Sequence, residues 1–426
     1  MKTDSKKLRI LVISSTYPRH EEDYAVPWMR EAHRRIMNRG HEVTVLAPAY
    51  KGLRDHEIDG ASVKRFRYAP ASYETLTHEQ GAPLKVRKIA KQLLAIPYIL
   101  CGCWAAMRAA MFGKFDLVHV HWPFPHGMMG QVARFVSGAP LVIMSHGAEF
   151  ALARRKKWIR PFLRQSLRAA DLRIANSSDT ARQVQEVSGV DCNVLPYGTT
   201  VSAADFEAER NEKPRVLFTG RLIERKGVEY LLRAIPEVLA QRDVQFVITG
   251  SGEQKERLEK LHDELGLGDS TEFLGFVSNE QLSEEYAKCD VWVNPAIVDA
   301  WGDAEGLGVG SIEAYAYRKP VIATRTGGIP DTIRHGETGY LVEEKDPHAL
   351  AEAILDLIND PFKARKFGWA GLRFARAAFS WDQITRDLEA LYASTLTARN
   401  EATFEAGRDG WESHASPSST EVGTSA

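Results

Sequence analysis

Two glutamates eight positions apart, Glu305 and Glu313, stand on either side of a glycine run, Gly306, Gly308 and Gly310. Glycine has no Cβ atom, so this backbone can approach a ligand closely. The run leads into a predicted helix, whose N-terminus offers free N–H groups and partial positive charge to a phosphate or a sugar oxygen. The spacing favours a site in which both carboxylates address one extended ligand. The alternative is that Glu305 caps the helix and Glu313 is a solvated helix residue.

The elements that must position these glutamates are two short apolar runs, residues 291–295 and 320–324, which we predict to be strands. The first leads to the glutamates and the second to the glycine pair Gly327 and Gly328. In an open parallel sheet, ligands bind beyond the carboxyl ends of the strands. The sequence therefore predicts two neighbouring strand-to-helix turns that form one binding site.

A second constellation lies upstream, where Arg221 and Lys226 flank the turn after a predicted strand at 215–220. Their cationic ends can converge on a diphosphate and neutralise the charge that builds as a nucleoside diphosphate leaves. A solvated helix start is the alternative. We therefore assign Arg221 and Lys226 to donor binding.

The segment from Glu305-Gly-Leu-Gly to Glu313-Ala resembles the E-x7-E signature of retaining glycosyltransferase family 4. The resemblance implies an α/β protein of GT-B fold, with two Rossmann-like doubly wound domains facing across a cleft. It implies that Glu305 meets hydroxyls of the donor sugar and that Glu313 holds the nucleotide ribose. The N–H groups implied to meet the sugar are those of Gly306, Leu307 and Gly308.

Three further segments carry the resemblance. The sequence Gly220-Arg221 to Lys226-Gly227 is similar to the family's G-R-x4-K-G element, and His146-Gly147 to its His-Gly element, whose His lies close to the donor sugar. The backbone at Phe276 and Val277 resembles the segment that binds the base. The first loop departs from the family pattern, because residues 15–27 contain no glycine.

Candidate acceptor residues follow the predicted strands of the first half. Tyr24 and Asp23 lie in the glycine-free loop, where they could face the acceptor. Trp122, Phe124 and His126 follow a predicted strand at 116–120. Stacking on an acceptor and ordinary loop packing both fit these three residues. We include Tyr24, Trp122 and His126 in the predicted acceptor site.

The predicted organisation is an acceptor-binding domain at 1–200, joined to a nucleotide-sugar-binding domain at 201–379. A closing helix at 380–398 is expected to pack back on the first domain, as in this fold. Residues 399–426 are polar, lose periodicity, and are predicted to be disordered. The four cysteines form no C-x-x-C pair and no metal spacing, and the N-terminus lacks the apolar core of a signal peptide. We expect a cytoplasmic protein.

Charge is divided unevenly along the chain. Residues 1–200 hold 30 Lys and Arg against 17 Asp and Glu, a balance of +13, whereas the remainder carries −14. Seven of the basic residues fall in residues 154–168, interleaved with Trp158 and Phe162, which is typical of an amphipathic helix on an anionic membrane surface. A solvated face is the alternative, and no motif supports nucleic-acid binding. Peripheral attachment to the inner face of the cell membrane is the corresponding expectation.

The most apolar stretch, residues 93–107, is broken by Pro97 and Gly102 and is short for a membrane span. We predict a buried helix there, with a monotopic helix on a membrane as the alternative. His119 and His121 share a strand face that could bind a metal, but no third ligand is suitably spaced. We expect no cofactor and no required metal.

The predicted function is transfer of a sugar, with retention, from a UDP- or GDP-sugar to a hydroxyl of a glycan or lipid-linked acceptor, in polysaccharide or glycolipid biosynthesis. In this interpretation Glu305 and His146 fix the sugar as the catalytic pair. Two alternatives remain open: an epimerase of the same fold that acts on the nucleotide sugar alone, and a non-catalytic nucleotide-sugar-binding subunit.

Overall fold

The computed structural model describes residues 7–23, 25–77, 93–198 and 212–414, with the backbone alone for Asn400 and residues 402–414. These residues build two separate sheets, one of eight strands and one of six. Apart from one antiparallel pair at the edge of the first sheet, all strand pairs are parallel. The predicted class, two Rossmann-like doubly wound domains, is confirmed.

The first sheet has the order β3-β4-β2-β1-β5-β6-β7-β8. Its strands are β1 Arg9–Ile13, β2 Glu42–Pro48, β3 His56–Ile58, β4 Ala61–Phe66, β5 Leu117–His121, β6 Leu141–Ser145, β7 Leu172–Ala175 and β8 Asn193–Val194. The helices of this domain are α1 Pro27–Asn38, α2 Ala95–Phe112, α3 Pro123–Ser137, α4 Ala148–Arg155, α5 Arg160–Ala169 and α6 Ser178–Ser188. Strand side chains alternate between two cores: Leu11 and Ile13 pack toward α2 and α3, and Ile10 and Val12 toward α1.

The second sheet has the order β11-β10-β9-β12-β13-β14. Its strands are β9 Arg215–Thr219, β10 Gln245–Thr249, β11 Thr271–Gly275, β12 Val291–Asn294, β13 Val321–Thr324 and β14 Gly339–Val342. The helices are α7 Val228–Leu239, α8 Lys255–Glu264, α9 Asn279–Lys288, α10 Val309–Ala316, α11 Pro347–Asn359 and α12 Pro361–Ala378. Continuous apolar runs form these strands because both faces of the sheet are buried.

The closing helix, α13 Trp381–His414, returns to the first domain. Its Asp382 and Glu389 pair with Arg35 and Arg39 at the end of α1, and Tyr392 hydrogen-bonds to His119 over 2.7 Å. Residues 199–211, which include the predicted domain boundary at 200, lie outside the described residues. The prediction of disorder is wrong for residues 399–414, which continue the helix, since each residue added to an existing helix gains a hydrogen bond without a new nucleation cost. Residues 415–426 lie outside the described residues.

Two helices differ from the sequence-based expectation. We predicted a buried helix at 93–107, but only 22% of α2 is buried, and it is the one helix among the described residues with the length and composition to span a membrane. The basic stretch 154–168 is not a single helix either, because α4 ends at Arg155 and α5 begins at Arg160. The backbone leaves the helical conformation at Lys156, with φ −121° and ψ 81°, and Pro161 lies in the first turn of α5, where its missing N–H is tolerated.

Candidate active site

The site lies where the direction of strand order reverses in the second sheet, between β9 and β12. From β9 the chain proceeds to β10 and β11 on one side, and then crosses to β12, β13 and β14 on the other. Such a switch point opens a crevice at the carboxyl ends of the two central strands. The turn after β9 carries Arg221 and Lys226, and the loop after β12 carries Glu305.

Glu305 forms a salt-bridge cluster with two consecutive cations, Arg225 and Lys226. Nη1 of Arg225 lies 2.7 Å from Oε2 of Glu305, and Nζ of Lys226 contacts the same oxygen. Burial alone would raise the pKa of the Glu305 carboxyl, but the attraction of Lys226 and Arg225 outweighs it and holds that pKa at about 2. Glu305 is therefore a fixed negative charge, which can accept hydrogen bonds but cannot donate a proton.

Arg221 lies beside this cluster and forms no side-chain hydrogen bond or ion pair with any residue the structure describes. Its side chain is partly exposed, and partial burial of the guanidinium together with the nearby charge of Arg225 lowers its pKa. Three cations thus converge on one turn, where the carboxylates of Glu305 and Asp303 neutralise only part of their charge. The remaining positive charge favours an anionic group such as a diphosphate.

Glu313 lies on α10, eight residues after Glu305. Its Oε2 accepts a hydrogen bond from the Tyr286 hydroxyl over 2.9 Å, and burial raises the pKa of the carboxyl. The Tyr286 hydroxyl lies 2.9 Å from Thr219 Oγ1, which in turn accepts from the Trp292 indole. The second oxygen of Glu313 has no partner among the described residues, so it can accept from a ligand hydroxyl.

The glycines of the two turns allow direct backbone contact between them. The N–H of Gly328 donates to the carbonyl of Glu305 over 2.8 Å. A Cβ on Gly328 would lie 2.2 Å from the carbonyl oxygen of Gly306, and one on Gly327 would lie 2.2 Å from that of Glu305. Gly308, at φ +82°, precedes the N-terminus of α10. The prediction that the two strand-to-helix turns adjoin is confirmed.

His146 faces this site from the first domain with its backbone. Its carbonyl oxygen would lie 3.1 Å from a Cβ on Gly306, so the two segments meet across the crevice. Its ring is buried: Nδ1 contacts the Tyr197 hydroxyl and Nε2 lies 3.1 Å from Nδ1 of His121. Burial lowers the pKa of His146 to about 3. A neutral ring with both nitrogens occupied is suited to positioning the backbone.

Glu149, at the start of α4, supports the same turn and was not identified from the sequence. Its Oε1 accepts a hydrogen bond from the N–H of His146 over 2.8 Å, and its Oε2 is buried with no partner among the described residues. Burial raises the pKa of this carboxyl to about 7. Glu149 therefore holds the turn at His146 and Gly147, where Gly147 adopts φ +102°.

The predicted acceptor residues have different surroundings. Trp122 is half-buried beside the turn, with its ring 4.7 Å from that of His146. The prediction for His126 is wrong, because this residue of α3 is buried and hydrogen-bonds to the Tyr98 hydroxyl of α2 over 2.8 Å. Tyr24 lies outside the described residues, whereas its neighbour Asp23 is buried and paired with Arg19. Trp28, which the sequence analysis did not identify, stacks on Tyr197 with ring centres 4.5 Å apart.

The predicted base-binding segment follows β11 at the far side of the same crevice. Phe276 is 86% exposed and Val277 is half-buried. An exposed phenylalanine ring at the carboxyl end of a strand is available for a flat aromatic ligand to stack on. Base binding by this segment stays a prediction, in which a nucleoside extends from the diphosphate turn toward β11.

The two domains contact each other around the crevice. The backbone N–H of Ser178 donates to Oδ2 of Asp331 over 2.6 Å, and its hydroxyl donates to Oδ1 over 2.5 Å. Arg154 donates to the carbonyl of Gly302, and the Arg155 guanidinium lies 4.1 Å from the ring centre of Trp301. The loop before Glu305 is thus bound to α4, so part of the 154–168 stretch serves this contact.

Two carboxylates of the loop before Glu305 and two histidines of β5 have partners within the protein. Oδ1 of Asp299 accepts from the backbone N–H groups of Trp301 and Asp303, and Asp303 lies 3.7 Å from Arg225. His119 and His121 stack on each other with ring centres 4.5 Å apart. Within the described ranges, no group of three His, Cys, Asp or Glu residues is arranged to hold a metal ion.

Comparison with known families covers most of the chain. The family described as "Glycosyl transferases group 1" matches residues 202–373, and "Glycosyltransferase Family 4" matches residues 28–202. A GDP-mannose-dependent alpha-(1-6)-phosphatidylinositol monomannoside mannosyltransferase of Mycolicibacterium smegmatis is 28% identical over 388 residues, 85% of this chain and 92% of that protein. A D-inositol 3-phosphate glycosyltransferase of Streptomyces avermitilis is 30% identical over 338 residues, 72% of this chain and 70% of that protein.

Solved structures share the two-domain fold. The sucrose-phosphate synthase of Thermosynechococcus elongatus superposes with a TM-score of 0.70 at 23% identity, covering 92% of this chain and all of that one. Anabaena HepE in complex with UDP gives a TM-score of 0.70 at 20% identity, with 91% and 100% covered. Together with the paired domains, the crevice between β9 and β12, and the cation-bound Glu305, these matches establish that the chain belongs to the group 1 glycosyltransferases of GT-B fold.

Proposed function

We propose that the protein transfers a sugar, with retention of configuration, from a nucleoside-diphosphate sugar to a hydroxyl of a lipid-linked acceptor in glycolipid biosynthesis. The observation that carries the proposal is the cluster in which Glu305 accepts from Arg225 and Lys226 while Arg221 is left without a protein partner among the described residues. A carboxylate for sugar hydroxyls and surplus cations for a diphosphate then adjoin in one crevice.

In this proposal each charged group has a separate role. Arg221 and Lys226 bind the diphosphate and stabilise the negative charge that grows on it as the sugar leaves. Glu305 and the N–H groups of Gly306 to Gly308 hold the sugar, and Glu313 accepts from the ribose through its unpaired oxygen. The neutral His146 completes the sugar pocket with its backbone, across the crevice from Gly306.

Retention is part of the proposal, and the state of Glu305 bears only on its route, because a poor nucleophile disfavours a covalent glycosyl-enzyme intermediate. A carboxylate with a pKa of about 2 and two cationic partners is a weak nucleophile. We therefore propose attack of the acceptor hydroxyl on the same face of the sugar from which the diphosphate departs. The bond from C1 to the phosphate oxygen breaks, the bond from C1 to the acceptor oxygen forms, and the acceptor proton passes to the leaving phosphate.

The donor and acceptor are proposed from the relatives. Several of these are named GDP-mannose-dependent enzymes that act on phosphatidylinositol mannosides, whereas the solved HepE structures hold UDP or UDP-glucose. We propose GDP-mannose as the donor and a lipid-linked inositol or mannoside as the acceptor. A cytoplasmic enzyme that acts at the inner face of the cell membrane fits these substrates.

The test begins with thermal shift in GDP, UDP and ADP, since a nucleotide that binds only the folded protein raises its melting temperature. The nucleotide that gives the largest shift indicates which nucleotide sugars to test as donors for transfer to acceptors in lipid extracts. Proton NMR of the product then reports its anomeric configuration. We expect GDP to give the largest shift and an α-mannoside to form from the α-linked donor. A β product, or epimerised donor without acceptor, would exclude the proposed reaction.

Metal independence is a separate part of the proposal, because Arg221, Arg225 and Lys226 can carry the charge that a cation otherwise balances. Transfer should proceed in EDTA at the rate seen after dialysis into Mg²⁺. Loss of transfer in EDTA with recovery in Mn²⁺ or Mg²⁺ would show that these side chains are not sufficient.

A further inference from the structure

We propose that the protein docks on an anionic lipid surface through one face of its first domain. The docking patch combines the outer face of α2 with aromatic side chains where α3 and α5 begin. The inference goes beyond the proposed function, because the vesicle binding it predicts needs neither donor nor acceptor.

The apolar part of the patch is a stripe along α2. Ile96, Leu100 and Trp104 follow one another at four-residue spacing and are 62%, 64% and 57% exposed. Residues four apart share a helix face, so these side chains form a continuous apolar surface. Large exposed apolar surfaces on a soluble domain mark contacts with a partner or a membrane.

The opposite face of α2 is fixed to the domain. Tyr98, Gly102, Ala106 and Ala110 are buried, and a Cβ on Gly102 would clash with Met129 of α3. A helix held in this way cannot leave the domain to cross a bilayer by itself. Its exposed stripe is instead oriented as in a helix that lies in the plane of a membrane interface.

The aromatic part of the patch lies on the neighbouring helices, and α3 connects it to α2 through the buried face of α2. Tyr98 of α2 contacts His126 of α3, and Phe124 at the start of α3 lies 5.9 Å and 6.3 Å, between ring centres, from Trp158 and Phe162. Trp158 is 60% exposed. Because α3 directly follows the carboxyl end of β5, this aromatic group lies at the end of the domain that faces the crevice.

The positive charge of this part of the first domain favours an anionic lipid surface as the partner of the docking patch. Residues 93–170 contain ten Lys and Arg but two acids, Asp116 and Glu149. Glu149 is buried, and Asp116 accepts from the backbone N–H of Arg9. The exposed cations Lys157, Arg160 and Arg164 alternate with Trp158 and Phe162 and form no ion pair with the described residues. Interleaved cations and aromatic side chains suit lipid headgroups above an acyl layer.

Arg154 and Arg155 are excluded from the patch, because they contact Gly302 and Trp301 of the second domain. Neutralising the whole basic stretch would therefore disturb the crevice as well as the surface. The test must use the cations that follow them.

The experiment measures co-sedimentation of the purified protein with phosphatidylcholine vesicles that contain or lack phosphatidylglycerol. We expect binding to vesicles with phosphatidylglycerol that weakens with salt. L100S and W104S, separately and together, should weaken binding to these vesicles about tenfold. K157Q/R160Q/R164Q should remove the preference for phosphatidylglycerol, again about tenfold or more.

Matched controls come from the second domain. F362S removes an equally exposed aromatic side chain, and R365Q/K366Q/R373Q removes three exposed cations from α12. Both should bind vesicles like the unaltered protein, and the melting temperature of each variant reports whether it folds. No vesicle binding by the unaltered protein, or equal binding by the patch variants, would overturn the proposal. So would a dimer in light scattering that L100S/W104S dissociates without changing vesicle binding, since the stripe would then cover a second copy.

Discussion

Nη1 of Arg225 lies 2.7 Å from Oε2 of Glu305, although 80 positions separate the two residues in the chain. The contact exists because β9 and β12 are neighbours at the switch point of the second sheet, so that the turn after one meets the loop after the other. Glu305 is therefore held and ionised before any donor binds. A preformed charge of this kind costs no reorganisation when the reaction occurs.

Substitution of Glu305 by Gln should separate donor binding from transfer. The amide keeps the shape of the side chain but removes the charge that orients the sugar, while Arg225 and Lys226 become available to the diphosphate. We expect kcat/KM to fall about 10²- to 10³-fold, with the thermal shift in the nucleoside diphosphate retained or increased. The measurement is steady-state transfer beside thermal shift, with the exposed Glu337→Gln as control. Unchanged turnover in E305Q would remove Glu305 from the mechanism.

Arg221 and Arg225 should respond differently to the same substitution. Arg225 forms a mostly buried ion pair, so R225M should lower the melting temperature and reduce transfer, because losing one partner of such a pair costs about 3 kcal/mol or more. Arg221 has no partner among the described residues, so R221M should leave the melting temperature unchanged but weaken nucleotide binding about tenfold.

The control for this pair is R225K, which keeps the charge and should recover most of the stability. Binding of the nucleoside diphosphate is measured by calorimetry and unfolding by circular dichroism. Equal losses of stability in R221M and R225M would contradict the assignment of Arg221 to the ligand.

The local order of strands and helices was predictable because each unit is an apolar run followed by an amphipathic segment. The glutamate pair and the glycines of the two turns were also found, since both depend on short spacings. Arg225 was not identified as a partner of Glu305, because that contact depends on sheet order and not on any local pattern. A cation directly beside Lys226 was the available signal.

Burial was harder to predict than secondary structure. Composition made residues 93–107 resemble a core helix, but which face a neighbour covers depends on α3, which packs only along the row that contains Gly102. In the same way, His146 follows its strand as expected, whereas its ring orientation depends on Trp28 and Tyr197 from distant segments. Such tertiary contacts cannot be predicted from the residue spacing within a single segment.

Substitution of Glu149 by Gln should change the pH dependence of stability. The pKa of this carboxyl is about 7 in the folded protein and 4.5 is its ordinary value, so between these pH values the folded state binds more protons than the unfolded chain. The contribution of Glu149 to the free energy of unfolding therefore falls as pH rises through this window, by about 3 kcal/mol in total. Above pH 7 no further loss is expected.

E149Q should lack this decline. Its melting temperature, relative to that of the unaltered protein, should therefore rise by a few degrees between pH 5 and pH 8, which corresponds to the change of roughly 3 kcal/mol in the free energy of unfolding. Exposed Glu264→Gln is the matched control. Because Glu149 accepts from the N–H of His146, E149Q should also alter the KM for the donor more than kcat. Parallel melting curves across this pH range would show that Glu149 does not titrate there.

The stacking of Arg155 on Trp301 should help to hold the two domains together over the crevice. The guanidinium lies 4.1 Å from the ring centre, and the loop that carries Trp301 leads directly to Glu305. A cation–π contact at a partly exposed site is worth about 0.5–1 kcal/mol, so R155A should lower kcat/KM about two- to fivefold. It should also increase the radius of gyration in small-angle scattering of the nucleotide complex. R365A, at an exposed cation of α12 outside the contact, should change neither quantity, and an equal effect of R155A and R365A would point to general surface charge instead of domain closure.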